Sequence, residues 1–193
     1  YPLADDKYAI EQLANRYDFI DINRVGIFGH SGGGFMATAA ICTYPDFYKA
    51  AVSSSGNHDN NIYNRGWVEI YNGVQESTKT IQTATGKDSI IYTFSSHVPT
   101  NMELAKNLKG HLLLVSGDQD RNVHPAHLLR MANALIQANK NFEMLLIPGA
   151  KHGYTGQANR FFEKKLWFHF AKYLLGDFSS EQFTDLDETL KIK

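Results

Sequence analysis

The sequence predicts an α/β fold, a mostly parallel sheet of about four strands with helices on both faces. Three observations carry that expectation. Short apolar runs such as Val25-Gly26-Ile27-Phe28 and Leu112-Leu113-Leu114-Val115 have strand length and are bounded by turn residues. They alternate along the chain with segments whose apolar residues recur at helical spacing, a pattern that belongs to parallel sheets covered on both sides. The composition, 43% apolar and 20% charged over 193 residues, is that of a globular chain long enough to bury one sizeable core.

The elements follow in order. Tyr8, Ile10, Leu13, Ala14 and Tyr17 recur at helical spacing, which predicts a helix over 5–17 with Asp5 or Asp6 as its N-cap. A strand follows over 24–29, then a helix of small residues from Ser31 to Thr43, stopped by Pro45. Lys49 to Ser54 is a short strand of small side chains. Residues 56–100, rich in Asn and Tyr, show no sustained period and predict irregular chain with short helices. Glu103 to Leu108 is a helical turn leading into a buried strand, His111 to Val115. Leu128, Leu129, Ala132, Leu135 and Ile136 share one face of an amphipathic helix over 126–139. Phe142 to Ile147 is the last strand, and a helix from Asn159 to Leu175 stops at Gly176. Beyond 176 the pattern predicts a polar tail or one further short helix.

The turn after the first strand carries chemistry. Gly29-His30-Ser31-Gly32-Gly33 is a G-x-S-x-G run between a strand and a helix, the arrangement of a nucleophile elbow. A serine on so sharp a turn sits in a strained conformation, so the residues two before and two after it, Gly29 and Gly33, are expected to be tiny. Gly32 places its backbone N–H beside the serine at a helix N-terminus, where an oxyanion is stabilised. Downstream, Asp118 and Asp120 follow the next buried strand, and His152 follows the last one. A serine, an acid and a histidine in that chain order, each after a strand, is the order α/β-hydrolases use. Four strands are too few for a complete hydrolase sheet, and only about twenty residues precede the elbow strand where several strands normally lie. Residues 1–193 are therefore expected to be the C-terminal portion of a larger catalytic domain.

Three stretches, Gly29-His30-Ser31-Gly32-Gly33, Gly117-Asp118-Gln119-Asp120-Arg121-Asn122-Val123-His124 and Lys151-His152-Gly153, resemble the catalytic domain of the prolyl oligopeptidase family of serine peptidases. The likeness is to its dipeptidyl-peptidase IV branch and extends over roughly residues 5–175. It implies a hydrolase domain paired with a β-propeller, the propeller and first strands lying outside this chain. It implies Ser31 as nucleophile, Asp120 rather than Asp118 as orienting acid, and His152 as general base. Asn122 is similar to the residue whose amide holds a substrate carbonyl, and Tyr63 and Trp67 align with two aromatic positions that wall the proline pocket. Trp67 replaces the tyrosine of the best-known members. Spacing alone reads Tyr63 and Trp67 as a core-facing helix stripe. The implied activity is release of short N-terminal peptides, dipeptidyl or tripeptidyl, after proline or alanine. The family's second oxyanion donor, an upstream tyrosine, has no counterpart in residues 1–30, so the chain alone is expected to be weak or inactive.

The partner this implies is a short peptide, with no cofactor or metal. A net charge of −1 gives no footing for nucleic acid or an anionic membrane, and no apolar run has bilayer length. No signal-peptide pattern is visible, although members of the family are often exported, which points to the periplasm or exterior. The single cysteine, Cys42, forms no internal disulfide and reads as a packing residue. His124 and His127 beside the two aspartates lack a third ligand motif and read as a loop-to-helix junction. His30 is given no chemistry, and His58, His97, His111 and His169 read as surface or satisfied structural residues. Two other functions fit the same residues: an esterase or general acyl hydrolase, and a catalytically silent folding or dimerisation module. The resemblance also implies a homodimer, since the family's last helix and last strand often mediate dimers and residues 128–175 supply both.

Overall fold

The computed structural model of the chain describes residues 2–95 and 98–179. His97 and the tail beyond 179 lie outside the described residues. In chain order the elements are α1 (Pro2–Ala14), β1 (Val25–His30), α2 (Gly32–Thr43), β2 (Tyr48–Ser54), α3 (Arg65–Asn72), β3 (Gln75–Gln82), β4 (Asp88–Ser95), α4 (Asn101–Leu104), β5 (His111–Gly117), α5 (Ala126–Gln137), β6 (Glu143–Ile147) and α6 (Gly156–Phe170). A π-helical turn, Ala171–Leu175, extends α6 and ends at Gly176, whose φ of 68° supplies the left-handed stop. These elements form two units, Asp59–Thr100 and the rest of the chain.

The larger unit is built on one parallel sheet in the order β1-β2-β5-β6. Alternate side chains along its strands face opposite layers. Ala51, Leu112 and Leu114 join Ile41, Leu128, Met131 and Leu135 from α2 and α5 in one apolar cluster, with Leu3 and Ile10 of α1 against it. Val52, Leu113, Val115 and Ile147 form a second cluster with Leu166, Phe162 and Phe170 of α6. Period-two alternation feeding two helical layers is what a doubly covered parallel sheet requires. Cys42 is fully buried, and burial pushes its thiol up to about 12, which suits packing and not reactivity.

The strand ends are level. His30 of β1 pairs in register with Ser54 of β2, Ser54 with Val115 of β5, and Gly117 with Ile147 of β6. Because all four strands run the same way, the loops that follow them emerge along one rim.

The smaller unit departs from expectation. Residues 75–95 are not irregular: β3 and β4 form an antiparallel hairpin, closed by a turn in which Gly86 adopts a φ of 75°. Nearly all of β3, Gln75-Glu76-Ser77-Thr78-Lys79-Thr80-Ile81-Gln82, is exposed, so it carries no polar–apolar alternation to detect. Its signal is instead β-propensity, with Thr78 and Thr80 of β3 paired with Tyr92 and Ile90 of β4. The first helix also differs from the predicted span. It runs Pro2–Ala14, so Asp5 and Asp6 both lie inside the helix and neither is its N-cap.

Candidate active site

The first loop of the rim is the elbow. Ser31 has φ 58° and ψ −121°, a strained conformation for a residue with a side chain, and its N–H donates to the Ser54 carbonyl at 2.8 Å. Gly29 is forced here, since a Cβ on it would lie 2.2 Å from the Gly33 carbonyl oxygen. Gly33 itself is under no such demand, because a Cβ there would meet open space. The second forced glycine is Gly34, where a Cβ would lie 2.6 Å from the Ser54 carbonyl oxygen. The expectation that the residues on both sides of the serine must be tiny therefore holds at 29 and shifts from 33 to 34. Gly32 opens α2, so its N–H has no carbonyl one turn back within the helix, and the space where its Cβ would be is open.

The loop after β5 carries the two aspartates, and the structure separates them. Asp118 Oδ1 accepts from the Gly149 N–H at 2.6 Å, tying the loop after β5 to the loop after β6. Asp120 has a fully buried side chain, and its Oδ1 accepts from the N–H groups of Asn122 and Val123, both at 2.9 Å. Its other oxygen, Oδ2, accepts from His152 Nδ1 at 2.8 Å. With Nδ1 donating, His152 Nε2 is left to accept the Ser31 hydroxyl, 3.1 Å away. Ser31, His152 and Asp120 thus form one hydrogen-bonded line, reached from three loops of a single rim.

Asn122, on the same loop as Asp120, is exposed. Tyr63 and Trp67 belong to the smaller unit, where their rings meet edge to face at 5.4 Å and the Trp67 ring also packs, tilted, against Tyr71 at 4.8 Å. They are not a core-facing helix stripe. Asn64 caps α3 by accepting from the Trp67 N–H, so Tyr63 precedes the helix in extended conformation, and Trp67 remains 37% exposed.

Among the remaining histidines, His124 Nδ1 accepts from the Ala126 N–H at the start of α5, a loop-to-helix junction. His58 is buried and satisfied. Its Nδ1 accepts from Asn101 Nδ2 at 3.0 Å, and its Nε2 faces Ser53 Oγ at 3.4 Å. Among the described residues no group of three potential ligands could hold a metal, and no helix is long and apolar enough to cross a membrane. Sequence reasoning gives His30 no chemistry and does not single out Ser54 or Tyr154, yet the His30 ring packs against the His152 ring at 4.8 Å and Ser54 Oγ links His30 Nδ1 to Tyr154 Oη. The register of β1 against β2 sets His30 beside Ser54, which no spacing in the sequence records.

Comparison with known proteins follows the same lines. Human dipeptidyl peptidase 8 is 31% identical over 148 residues, 77% of this chain and 15% of that protein. Bovine prolyl endopeptidase FAP is 26% identical over 179 residues, 93% of this chain and 21% of that protein. The chain thus spans about a fifth or less of the curated relatives it matches. A solved structure of Porphyromonas gingivalis dipeptidyl peptidase 4 superimposes with a TM-score of 0.69 at 25% identity, covering 91% of this chain and 22% of that one. A Bacteroides ovatus structure shares the fold with a TM-score of 0.72 at 24% identity, covering 88% of this chain and 22% of that one. The sequence profile of the prolyl oligopeptidase family matches residues 2–178, and with nearly the whole described chain inside that match, the chain belongs to the prolyl oligopeptidase family.

Proposed function

We propose that this chain carries the acyl-transfer machinery of a serine exopeptidase that releases dipeptides or tripeptides from peptide N-termini, with a preference for proline or alanine. The observation that carries the reading is the pair of hydrogen bonds at His152, 3.1 Å to Ser31 Oγ and 2.8 Å to Asp120 Oδ2. In this reading His152 takes the Ser31 proton as Oγ attacks the scissile carbonyl, then gives it to the leaving amine. Asp120, held by the Asn122 and Val123 N–H groups, fixes the tautomer and stabilises the imidazolium. The Gly32 N–H receives the oxyanion. Water then repeats the sequence on the acyl-enzyme. Asn122 holds a substrate carbonyl, and Tyr63 and Trp67 wall the pocket for the residue before the cut. Neither cofactor nor metal takes part.

The chain is read as the C-terminal portion of the catalytic domain, completed by upstream strands beside β1 and by a β-propeller. Two features support this. The named relatives are several times longer. β1 is an outer strand of the sheet, with Phe28 64% exposed beside an apolar groove that includes Phe162, Trp167 and Phe170. A second oxyanion donor would come from the upstream part, so the chain alone is weak or inactive. Homodimerisation through residues 128–175 is proposed with it, and sedimentation of the full-length protein tests that.

The test of the activity is hydrolysis of a Xaa-Pro p-nitroanilide against a short acyl ester by the full-length protein. The reading predicts cleavage of the anilide, lost by about 10⁶ in Ser31→Ala. Turnover of the ester alone would favour a general acyl hydrolase.

A further inference from the structure

His152 is flanked by a second hydrogen-bonded line that the proposed chemistry does not use. His30 and Ser54 are register partners on neighbouring parallel strands, so their side chains leave the same face of the sheet side by side. His30 Nδ1 and Ser54 Oγ are 3.0 Å apart, and Ser54 Oγ donates to Tyr154 Oη at 2.9 Å. Ser55 Oγ also lies 3.4 Å from Tyr154 Oη. Tyr154 is anchored by its ring, edge to face on Phe162 of α6 at 5.0 Å. The His30 ring packs against the His152 ring at 4.8 Å and meets Tyr154 edge-on at 6.0 Å.

The chain positions give this line its meaning. His30 immediately precedes Ser31, and Tyr154 lies two residues after His152. The Ser54 hydroxyl therefore joins the strand that delivers one partner of the Ser31–His152 bond to the loop that delivers the other. The Ser54 carbonyl adds a third tie, to the Ser31 N–H, through the close approach that Gly34 allows. Ser54 is buried, so its hydroxyl has no water to fall back on and its bonds keep fixed partners.

We propose that Ser54 is a positioning residue which, through His30 and Tyr154, holds His152 at hydrogen-bond distance from Ser31. The inference rests on the reading of Ser31 and His152 as nucleophile and base. Partial burial, and then His152, hold the His30 imidazole below its ordinary pKa, while Asp120 and a main-chain contact to His152 pull the other way. A neutral ring beside His152 does not oppose formation of the imidazolium.

The experiment uses the full-length protein and its peptide anilide. Ser54→Ala removes the hydroxyl and keeps the carbonyl tie, and Tyr154→Phe removes only the phenol oxygen. Each is expected to lower kcat by roughly 10- to 100-fold with KM within about twofold, since misplacing a reacting group by an ångström has that effect. The double variant should fall no further than Ser54→Ala alone, because both remove the same line. Ser54→Thr, which keeps a hydroxyl, should recover most of the rate. Wild-type kcat in both single variants, while Ser31→Ala is inactive, overturns the positioning role and leaves the triad standing. Independent, multiplying effects overturn it as well. Activity surviving in Ser31→Ala overturns the triad reading and this inference with it.

Discussion

Gly117 and Ala150 approach so closely that a Cβ on Gly117 would lie 2.3 Å from the Ala150 carbonyl oxygen. Gly117 ends β5, the strand before Asp120, and Ala150 stands two residues before His152. The Gln119 N–H donates to the same carbonyl at 2.9 Å, and Asp118 holds the Gly149 N–H. The contact of these two loops is what brings an imidazole and a carboxylate from different strands to 2.8 Å.

Gly117→Ala is therefore expected to push the two loops apart. Overpacking of this kind costs about 1–3 kcal/mol of stability. Displacing His152 from Ser31 lowers kcat by roughly 10²-fold. Urea denaturation and steady-state kinetics on the same sample check both.

At the elbow two glycines should behave oppositely. Gly29→Ala drives a methyl into the Gly33 backbone and is expected to destabilise the fold by more than about 2 kcal/mol. Gly33→Ala meets open space inside a helix and should leave stability unchanged or raise it by up to about 1 kcal/mol. Thermal unfolding of the pair measures the contrast. Equal losses at both sites would contradict it.

The two aspartates are also separable. Asp120→Asn can keep an oxygen for the Asn122 and Val123 N–H groups but presents an amide N–H₂ to His152 Nδ1, selecting the wrong tautomer. A loss near 10⁴ in kcat is expected, with the fold intact by circular dichroism. Asp118→Asn keeps an acceptor for Gly149 and should retain kcat within about threefold, since it contacts neither reacting group.

His58 sets a pH dependence of stability. Burial, with His127 adding to it, pushes the imidazole from its ordinary 6.5 down to about 3. Asn101 Nδ2 also donates to the Phe35 carbonyl, which fixes the amide so that it offers His58 a donor and leaves no acceptor for a second ring proton. Below pH 6.5 the unfolded chain binds a proton here that the folded chain refuses until about pH 3. This contribution to stability is present above 6.5 and lost as pH falls, at up to about 1.4 kcal/mol per pH unit. Urea midpoints between pH 4 and 8 should show a shallower acid slope in His58→Asn. An unchanged slope would assign the loss to other groups.

The sheet was legible in the sequence because its strands are short, continuous apolar runs with no competing reading, and Ser31 because its glycines mark a turn few residues tolerate. The hairpin at 75–95 was not, since a strand exposed on both faces has no hydrophobic period. Spacing left Asp118 and Asp120 equivalent; only the folded loops show one carboxylate on Gly149 and the other on His152. The His30–Ser54–Tyr154 line was hidden for a related reason. It depends on the register between β1 and β2, which no run of residues records.

The most direct test is covalent. Full-length protein treated with a fluorophosphonate and mapped by peptide mass spectrometry should carry one adduct, on Ser31, with the rate of labelling collapsing in His152→Ala. A folded protein that stays unlabelled at Ser31, or that labels equally fast without the imidazole, would contradict the account.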